Sequence, residues 1–372
     1  MDIGFEQAGF DVVWTNELNP VFAEMFVAAR SGMIIPGARK KPPNPNRTSV
    51  SRLKAAAILR EAFPRAEPPV FGVIGGPPCP DFSRGGLNGG GNGANGKLTA
   101  DFVRLVCRIK PAFFVMENVP GLLRTKKHHR FLRKQIAHLR KAGNFLVDFK
   151  ILNSLQLGAP QDRERLFVIG FRKSLMYRAL RRRVQGTERD WFPWPHDPRY
   201  AEARQLPWPK TSQFGKEPKK PTGIPDELMV WTHIGPKNSP VKLANGCDVF
   251  KAYSPKFSKR REGDVKHKSF KRLHRYRFSP TAWYGNQEVH LHPWLPRRLS
   301  VREALRLQTV PDDYVLPSNA SLCAKFKLIC NGVPCLMARA LAKEIRGLAA
   351  KAVASTLASP SARSATPAEA ES

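Results

Sequence analysis

The first 170 residues alternate short apolar runs with segments of helical periodicity, and this alternation restricts the fold more than any other feature of the sequence. The apolar runs predict strands at residues 12–15, 70–74, 113–116, 145–152 and 165–170. The helical patterns cover residues 52–63, 100–109 and 131–141. Strands that alternate with helices favour an α/β fold in which a parallel sheet is covered by helices on both faces.

The character of the sequence changes after residue 170. Residues 171–296 are rich in Arg, Lys, Pro and Trp and have little regular period, which predicts a second, smaller domain of irregular or mostly β structure. Ser300 reads as a helix N-cap with an acid at the third helical position, and a last helix is predicted over about 334–346. Residues 349–372 are rich in Ala, Ser and Pro and are predicted to be a disordered tail.

The charge of the chain is strongly positive. Its 62 Lys and Arg exceed 30 Asp and Glu by 32, which calls for a polyanionic partner. Residues 251–277 concentrate this charge and interleave it with aromatic side chains, which predicts contact with nucleic acid because cations neutralise phosphates and rings stack on bases. The alternative is a solvated basic loop. An acidic membrane surface is disfavoured because the segment has no helical period.

Several classes of protein are excluded by patterns that the sequence lacks. No apolar run approaches the roughly 20 residues that cross a bilayer, which excludes an integral membrane protein. The N-terminus lacks a signal-peptide pattern, so we expect a reducing compartment. The cysteines form no C-x-x-C pair and match no zinc ribbon or disulfide framework, although at least one is a candidate reactive thiol.

Three short motifs follow predicted strands. Cys79 stands between prolines after the strand at 70–74, and it reads either as a rigidly aimed thiol or as a buried cysteine in a tight turn. Glu117 follows the strand at 113–116, as a carboxyl that can hold a proton or as a surface acid. Arg163 and Arg165 alternate, so in an extended segment both would point to one side as an anion clamp or an exposed strand edge.

Taken together and in this order, the three motifs resemble the bacterial DNA (cytosine-5)-methyltransferase family. Residues 4–17 look like the stretch that leads to the family's ribose-binding acid, residues 298–314 look like its ninth motif and residues 331–334 like its tenth. The resemblance implies a Rossmann-like fold that uses S-adenosyl-L-methionine, with a smaller irregular or β target-recognition domain. The expected parts are a catalytic domain (1–171), a target-recognition domain (172–296), the last two motifs with a helix returning to the catalytic domain (297–348) and a tail (349–372).

The resemblance implies methylation of cytosine C5 in double-stranded DNA, on a base flipped from the duplex. Cys79 would add to C6, Glu117 would hold N3, and Arg163 and Arg165 would hold the base and the pocket. Cofactor contacts are expected from Glu17, Leu18, Gly76, Pro78, Asn331, Gly332 and Val333. DNA contacts are expected from Ser83, Arg84, Val119, Arg260, Arg261, Lys271 and Arg272. No metal ligand is expected.

The expected setting is a monomer in the bacterial cytoplasm, associated with the nucleoid, that serves restriction–modification or host DNA marking alongside a cognate endonuclease. The sequence departs from the family at Met1, which lies just beyond the family's first strand and its Phe-x-Gly-x-Gly cofactor loop. Either the true start lies upstream or the chain is a truncated relic. The alternatives are therefore a remnant that only binds DNA and, on the same scaffold, a tRNA cytosine-5 methyltransferase.

Overall fold

The computed structural model describes residues 1–78, 94–180, 190–267, 269–282, 284 and 288–357. Its strands are β1 (Gly72–Gly75), β2 (Phe113–Asn118), β3 (Phe145–Asn153), β4 (Gln161–Asp162), β5 (Glu164–Arg172) and β6 (Ser279–Pro280). Its α-helices are α1 (Asp2–Gln7), α2 (Pro20–Ser31), α3 (Ala55–Ala62), α4 (Ala94–Ile109), α5 (Gly121–Arg124), α6 (Lys126–Lys141), α7 (Lys173–Leu180), α8 (Val230–Ile234), α9 (Lys256–Lys259), α10 (Val301–Leu307), α11 (Leu322–Asn331) and α12 (Cys335–Leu357). Short 3₁₀ helices lie at Leu155–Leu157, Asp226–Leu228 and Pro236–Asn238.

The chain divides into two compact units, and each is described by itself. Unit 1 contains residues 1–53, 151–165 and 195–342. Unit 2 contains residues 54–150, 166–194 and the chain from Lys343 onward.

Unit 2 is built on a four-stranded sheet with the order β1-β2-β5-β3. β1 and β2 are parallel, with Gly72 opposite Phe113, and the apolar run that predicts β2 is fully buried. β2 and β5 are antiparallel, with Phe113 opposite Phe171, so the sheet is mixed and the prediction of a parallel sheet is wrong on this point. An apolar run reads the same in both directions, so the pattern that predicts a strand does not give its direction.

The strand predicted at residues 12–15 is absent. This segment is only half-buried and pairs through a single bridge, in which Glu17 N–H donates to Asn46 O at 3.1 Å and Asn46 N–H donates to Thr15 O at 2.9 Å. One bridge is too short to form a ladder, so the extended residues remain a loop. The other predicted strands and helices are confirmed, with ends that differ by a few residues.

The core of unit 1 is formed largely by helices. α10 packs against α8 and α11, and α11 also contacts α2. The predicted N-cap is confirmed as a capping box, in which Glu303 N–H donates to Ser300 Oγ at 3.2 Å and Ser300 N–H donates to Glu303 Oε2 at 2.7 Å. This cap fixes the start of α10 and the chain that enters it.

The middle of the sequence is irregular, as predicted, but has little β structure in its described part. Its only named strand, β6, pairs with β4 over two residues. Buried arginines tie the loops of unit 1 together by donating to backbone carbonyls. For example, the Arg302 guanidinium donates to Ala244 O at 3.0 Å, Tyr314 O at 2.9 Å and Pro311 O at 3.2 Å.

The last helix is longer than predicted. α12 continues to Leu357, so residues 349–357 are helical where the sequence analysis expects a tail, because a run of alanines favours helix as strongly as its low complexity suggests disorder. Its first turns pack tightly on α1, since a Cβ added to Gly4 would lie 2.5 Å from Ala338 Cβ. Within the described residues, no helix is long and apolar enough to cross a membrane.

Candidate active site and nucleic-acid interface

The ends of β1 and β2 bring two of the predicted motifs together in unit 2. Gly76 follows β1, and a Cβ built on it would lie 2.8 Å from Glu117 Oε2, so the carboxylate rests against the Gly76 backbone. Asn118 Nδ2 donates to Pro77 O at 3.4 Å. Parallel neighbouring strands end at the same edge of a sheet, which is where α/β proteins bind ligands. The motif with Gly76 and Pro78 and the motif with Glu117 and Val119 therefore share one edge.

Three predicted site residues, Cys79, Ser83 and Arg84, lie outside the described residues.

Arg163 has a different environment from the one that its spacing suggests. Its side chain is fully buried in unit 1 and donates to Cys330 O and Gly332 O at 2.6 Å each and to Ala282 O at 3.3 Å. Arg165 is half-buried and donates to Glu164 O at 2.8 Å. The two arginines do not form one exposed clamp, because Arg163 lies between β4 and β5 and interrupts the strand period.

The turn that contains Asn331, Gly332 and Val333 is held from two directions. Arg163 binds its carbonyls, and Gln308 Nε2 donates to Ile329 O at 2.7 Å just before it. On the other side, Leu336 N–H donates to Thr309 Oγ1 at 3.0 Å. Thr309 is a positioning residue that no sequence pattern indicates, since its positive φ of 57° leaves no signal in the sequence.

Glu17 and Leu18 precede α2 in unit 1. Glu17 is half-buried, and its Oε1 accepts from Asn19 N–H at 2.8 Å, while the Leu18 side chain is 59% exposed. Asn19 Oδ1 in turn accepts from the first N–H groups of the helix. Glu17 thus presents an oriented carboxylate next to an exposed apolar side chain, an arrangement compatible with the contacts expected of these two residues.

Arg272 is part of the protein interior. It is fully buried, donates to Leu295 O and Arg260 O at 3.0 Å each and also to His292 O and Phe257 O. Burial lowers the pKa of its guanidinium to about 10. The expectation that Arg272 contacts DNA is therefore corrected: it organises the loops around it.

The other residues of the basic segment divide into buried and exposed sets. Arg275 is buried and forms a two-pronged ion pair with Glu262, with Nε–Oε1 at 2.9 Å and Nη2–Oε2 at 3.0 Å. Arg260 pairs with Asp264 at 3.1 Å, and Lys271 is half-buried. Arg261 is exposed, as are Lys251, Lys256, Lys259 and Lys266.

The aromatic residues of this segment pack mainly inside the protein. Phe257 and Tyr276 are buried, and their rings contact Phe270 and Trp231 respectively. The expectation that interleaved rings stack on bases is therefore wrong for these two. The exposed side chains of this segment are therefore mainly cationic, with Tyr253 as an exposed ring among them.

Comparison with known proteins identifies the family to which this chain belongs. A family model described as C-5 cytosine-specific DNA methylase matches residues 1–347. The chain belongs to this family. The methylase is 39% identical over 353 residues to the type II methyltransferase M.NmeDI of Neisseria meningitidis serogroup C, covering 93% of this chain and 80% of that protein. It is 28% identical to the type II methyltransferase M.FnuDI of Fusobacterium nucleatum, covering 93% and 91%.

Solved structures support the fold of the methylase. A DNA modification methyltransferase encoded within an E. coli prophage matches with a TM-score of 0.59 at 24% identity, over 93% of this chain and 95% of that chain. The S. pombe Dnmt2 methyltransferase matches with a TM-score of 0.56 at 12% identity, over 95% of each chain. The predicted family and the Rossmann-like α/β methyltransferase fold are confirmed. The methylase is an S-adenosylmethionine-dependent enzyme that methylates cytosine at C5 in DNA.

Proposed function

We propose that the methylase acts on a cytosine flipped from double-stranded DNA through a covalent bond between Cys79 Sγ and C6. The observation that supports this most directly is the shared edge of β1 and β2, where the Glu117 carboxylate rests on Gly76. Cys79 follows Gly76 by three residues in the sequence, which supports a role for its thiol near the Glu117 carboxyl.

The proposed chemistry uses the two groups in sequence. Addition of the Cys79 thiolate forms the S–C6 bond, and the Glu117 carboxyl supports it with a proton or a hydrogen bond at N3. The added electron pair makes C5 nucleophilic. After C5 is methylated, transfer of its proton to solvent and release of the thiolate restore the aromatic ring, and any proton given to N3 returns to Glu117. Each bond formed to the protein is broken again, so the enzyme is regenerated.

S-adenosylmethionine supplies the methyl group from its sulfonium. We assign its binding to Glu17, Leu18, Gly76, Pro78, Asn331, Gly332 and Val333. Arg163 is assigned a positioning role, because it holds the carbonyls of the 330–332 turn. Arg165 is assigned to the pocket around the base.

DNA binding is assigned to the exposed part of the basic segment, above all Arg261, with Arg260 and Lys271 at its margin. Val119, Ser83 and Arg84 are assigned to the DNA near the flipped base. The relatives are named type II methyltransferases, which supports a role in restriction–modification with a cognate endonuclease. A monomer associated with the nucleoid and the domain boundaries at 171, 296 and 348 remain predictions.

The proposal is tested with Cys79→Ser, with Cys247→Ser as a matched control on an exposed cysteine. We expect Cys79→Ser to lower methyl transfer by more than about 10³-fold while DNA affinity stays near that of the wild type, because the thiolate acts only in the chemical step. Cys247→Ser should keep full activity. The readouts are transfer of labelled methyl groups to duplex DNA and a binding titration.

The same assay addresses the two alternatives. Methyl transfer to tRNA in preference to duplex DNA would support the tRNA methyltransferase. No transfer and no S-adenosylhomocysteine binding by the wild type would support a DNA-binding remnant. If Cys79→Ser still methylates DNA, the nucleophile is wrongly assigned.

A further inference from the structure

α6 carries a strongly cationic face that has no role in the proposed reaction. Six Lys and Arg side chains of this helix are exposed: Lys126, Lys127, Arg130, Arg133, Lys134 and Lys141. The sequence from 124 to 147 contains no Asp or Glu. Local acids therefore do not neutralise this face.

These six cations also have no ion pair with any other described residue. Other cations of the protein do pair with an acid, as the half-buried Arg104 pairs with Asp101 at 3.1 Å within α4. Among the residues that the structure describes, the charge of these six side chains is therefore not compensated by ion pairs.

The cations follow one side of the helix. They border a shallow groove of about 450 Å³ that is lined by Lys126, His129, Arg130, Arg133, Lys134 and Ala137. At 1.5 Å per residue the stripe from Lys126 to Lys141 is about 22 Å long. Each strand of a duplex carries one phosphate per about 3.4 Å of its axis, so a cationic stripe of this length can face several phosphates.

The opposite side of α6 is apolar and is buried against the rest of unit 2. Leu132, Ile136 and Leu139 are at most 5% exposed, and the helix packs against α4 and α5. A helix that lies on a bilayer needs an apolar face to insert. Because that face is already buried, the chemistry of α6 fits a regular polyanion and does not fit a lipid surface.

We propose that the exposed face of α6 binds the phosphate backbone of double-stranded DNA as a second contact, separate from the basic segment 251–277. This inference rests on the proposal that duplex DNA is the substrate. The contact is independent of sequence, because Lys and Arg on phosphates carry no base readout. It would retain the enzyme on long DNA between target sites.

The test is the salt dependence of binding to long duplex DNA of mixed sequence. Affinity for DNA falls as salt rises, so the slope of log affinity against log salt is negative. The variant K126Q/R130Q/R133Q/K134Q should make this slope shallower by between about 2 and 3.6, since each phosphate contact contributes about 0.9. The control K40Q/K41Q/K237Q/K242Q removes the same charge from exposed lysines elsewhere and should keep the wild-type slope. The conservative variant R130K/R133K keeps the charge and should also keep the slope.

Melting temperatures like that of the wild type establish that the variants are folded, as expected for exposed substitutions. The proposal is overturned if the α6 variant keeps the wild-type slope, or if the control loses as much. It is also overturned if the α6 variant loses affinity for phosphatidylglycerol vesicles but not for DNA. The assay measures binding alone, so a failure of the Cys79 experiment would leave this result interpretable.

Discussion

Arg163 holds three backbone carbonyls, those of Ala282, Cys330 and Gly332, from a fully buried position. The planar guanidinium reaches these acceptors in different directions at once. A lysine ammonium is a compact charge on a flexible stem and does not reproduce this fork. The side chain thus links the segment between β4 and β5 to the 330–332 turn, which is assigned to cofactor binding, and fixes the position of its carbonyls.

We predict that Arg163→Lys lowers the free energy of unfolding by about 2–4 kcal/mol, because at least one buried carbonyl loses its donor while a charge stays buried. Affinity for S-adenosylhomocysteine should fall with it. Thermal unfolding and titration calorimetry measure the two effects. Arg165→Lys is the matched control and should change stability by less than about 1 kcal/mol. Normal stability and cofactor affinity with lost activity would instead place Arg163 on the substrate.

At the scale of elements, the basic segment 251–277 contains buried arginines that stabilise the fold and exposed ones that are available for binding. Arg275→Ala should cost about 3–5 kcal/mol, because it leaves the fully buried Glu262 carboxylate without its ion pair. Arg261→Ala should change stability by less than about 0.5 kcal/mol and weaken DNA binding. Melting temperatures and DNA titrations separate the two. A normal melting temperature for Arg275→Ala would contradict the structural role.

Some of these elements could be predicted from the sequence and others could not, because apolar runs, capping residues and composition each report a different structural property. The run 113–116 predicts β2 correctly because continuous burial demands continuous apolarity. The antiparallel direction of β5 was not predicted, since hydrophobicity carries no direction. α2 was missed although Asn19 caps it and Pro20 opens it, because its loop-rich surroundings weaken the periodic signal. α6 was predicted, but the burial of Arg272 and Arg275 was not, because composition counts charges without placing them.

On the scale of the whole molecule, the family and the reaction could be predicted from three motifs. Each motif alone is weak, but the three together, in this order along the chain, are specific to the family. The shared edge of β1 and β2 was also predictable, since both motifs follow strands. The role of Arg163 was not, because its partners are distant in sequence and are backbone atoms. Cys79, Ser83 and Arg84 lie outside the described residues, so their assignments stay predictions.

The stability of the whole molecule should depend on pH through histidines that are buried without charge. Burial, with Lys271 and Arg298 nearby, lowers the pKa of His290 from 6.5 to about 3. The unfolded chain therefore binds the proton first as pH falls. The stabilising contribution is complete above pH 6.5 and is lost progressively towards pH 3.

We predict that the free energy of unfolding falls as pH is lowered through this range, and that His290→Phe makes the fall shallower. Phenylalanine keeps the edge contact with Tyr284 and cannot titrate. His196→Gln, at an exposed position, should leave the pH profile unchanged. Thermal unfolding at a series of pH values measures the profiles. Identical profiles for His290→Phe and the wild type would show that another group dominates.

The buried arginines of unit 1 should affect the sensitivity of the protein to chemical denaturants. In the described part, the side chains of Arg30, Arg163, Arg272, Arg298 and Arg302 are fully buried, and each donates to backbone carbonyls. Guanidinium chloride contains the same planar donor at molar concentration and competes for those oxygens, in addition to solvating apolar groups as urea does. Unit 1 should therefore be more sensitive to guanidinium, relative to urea, than the ladder-bonded sheet of unit 2.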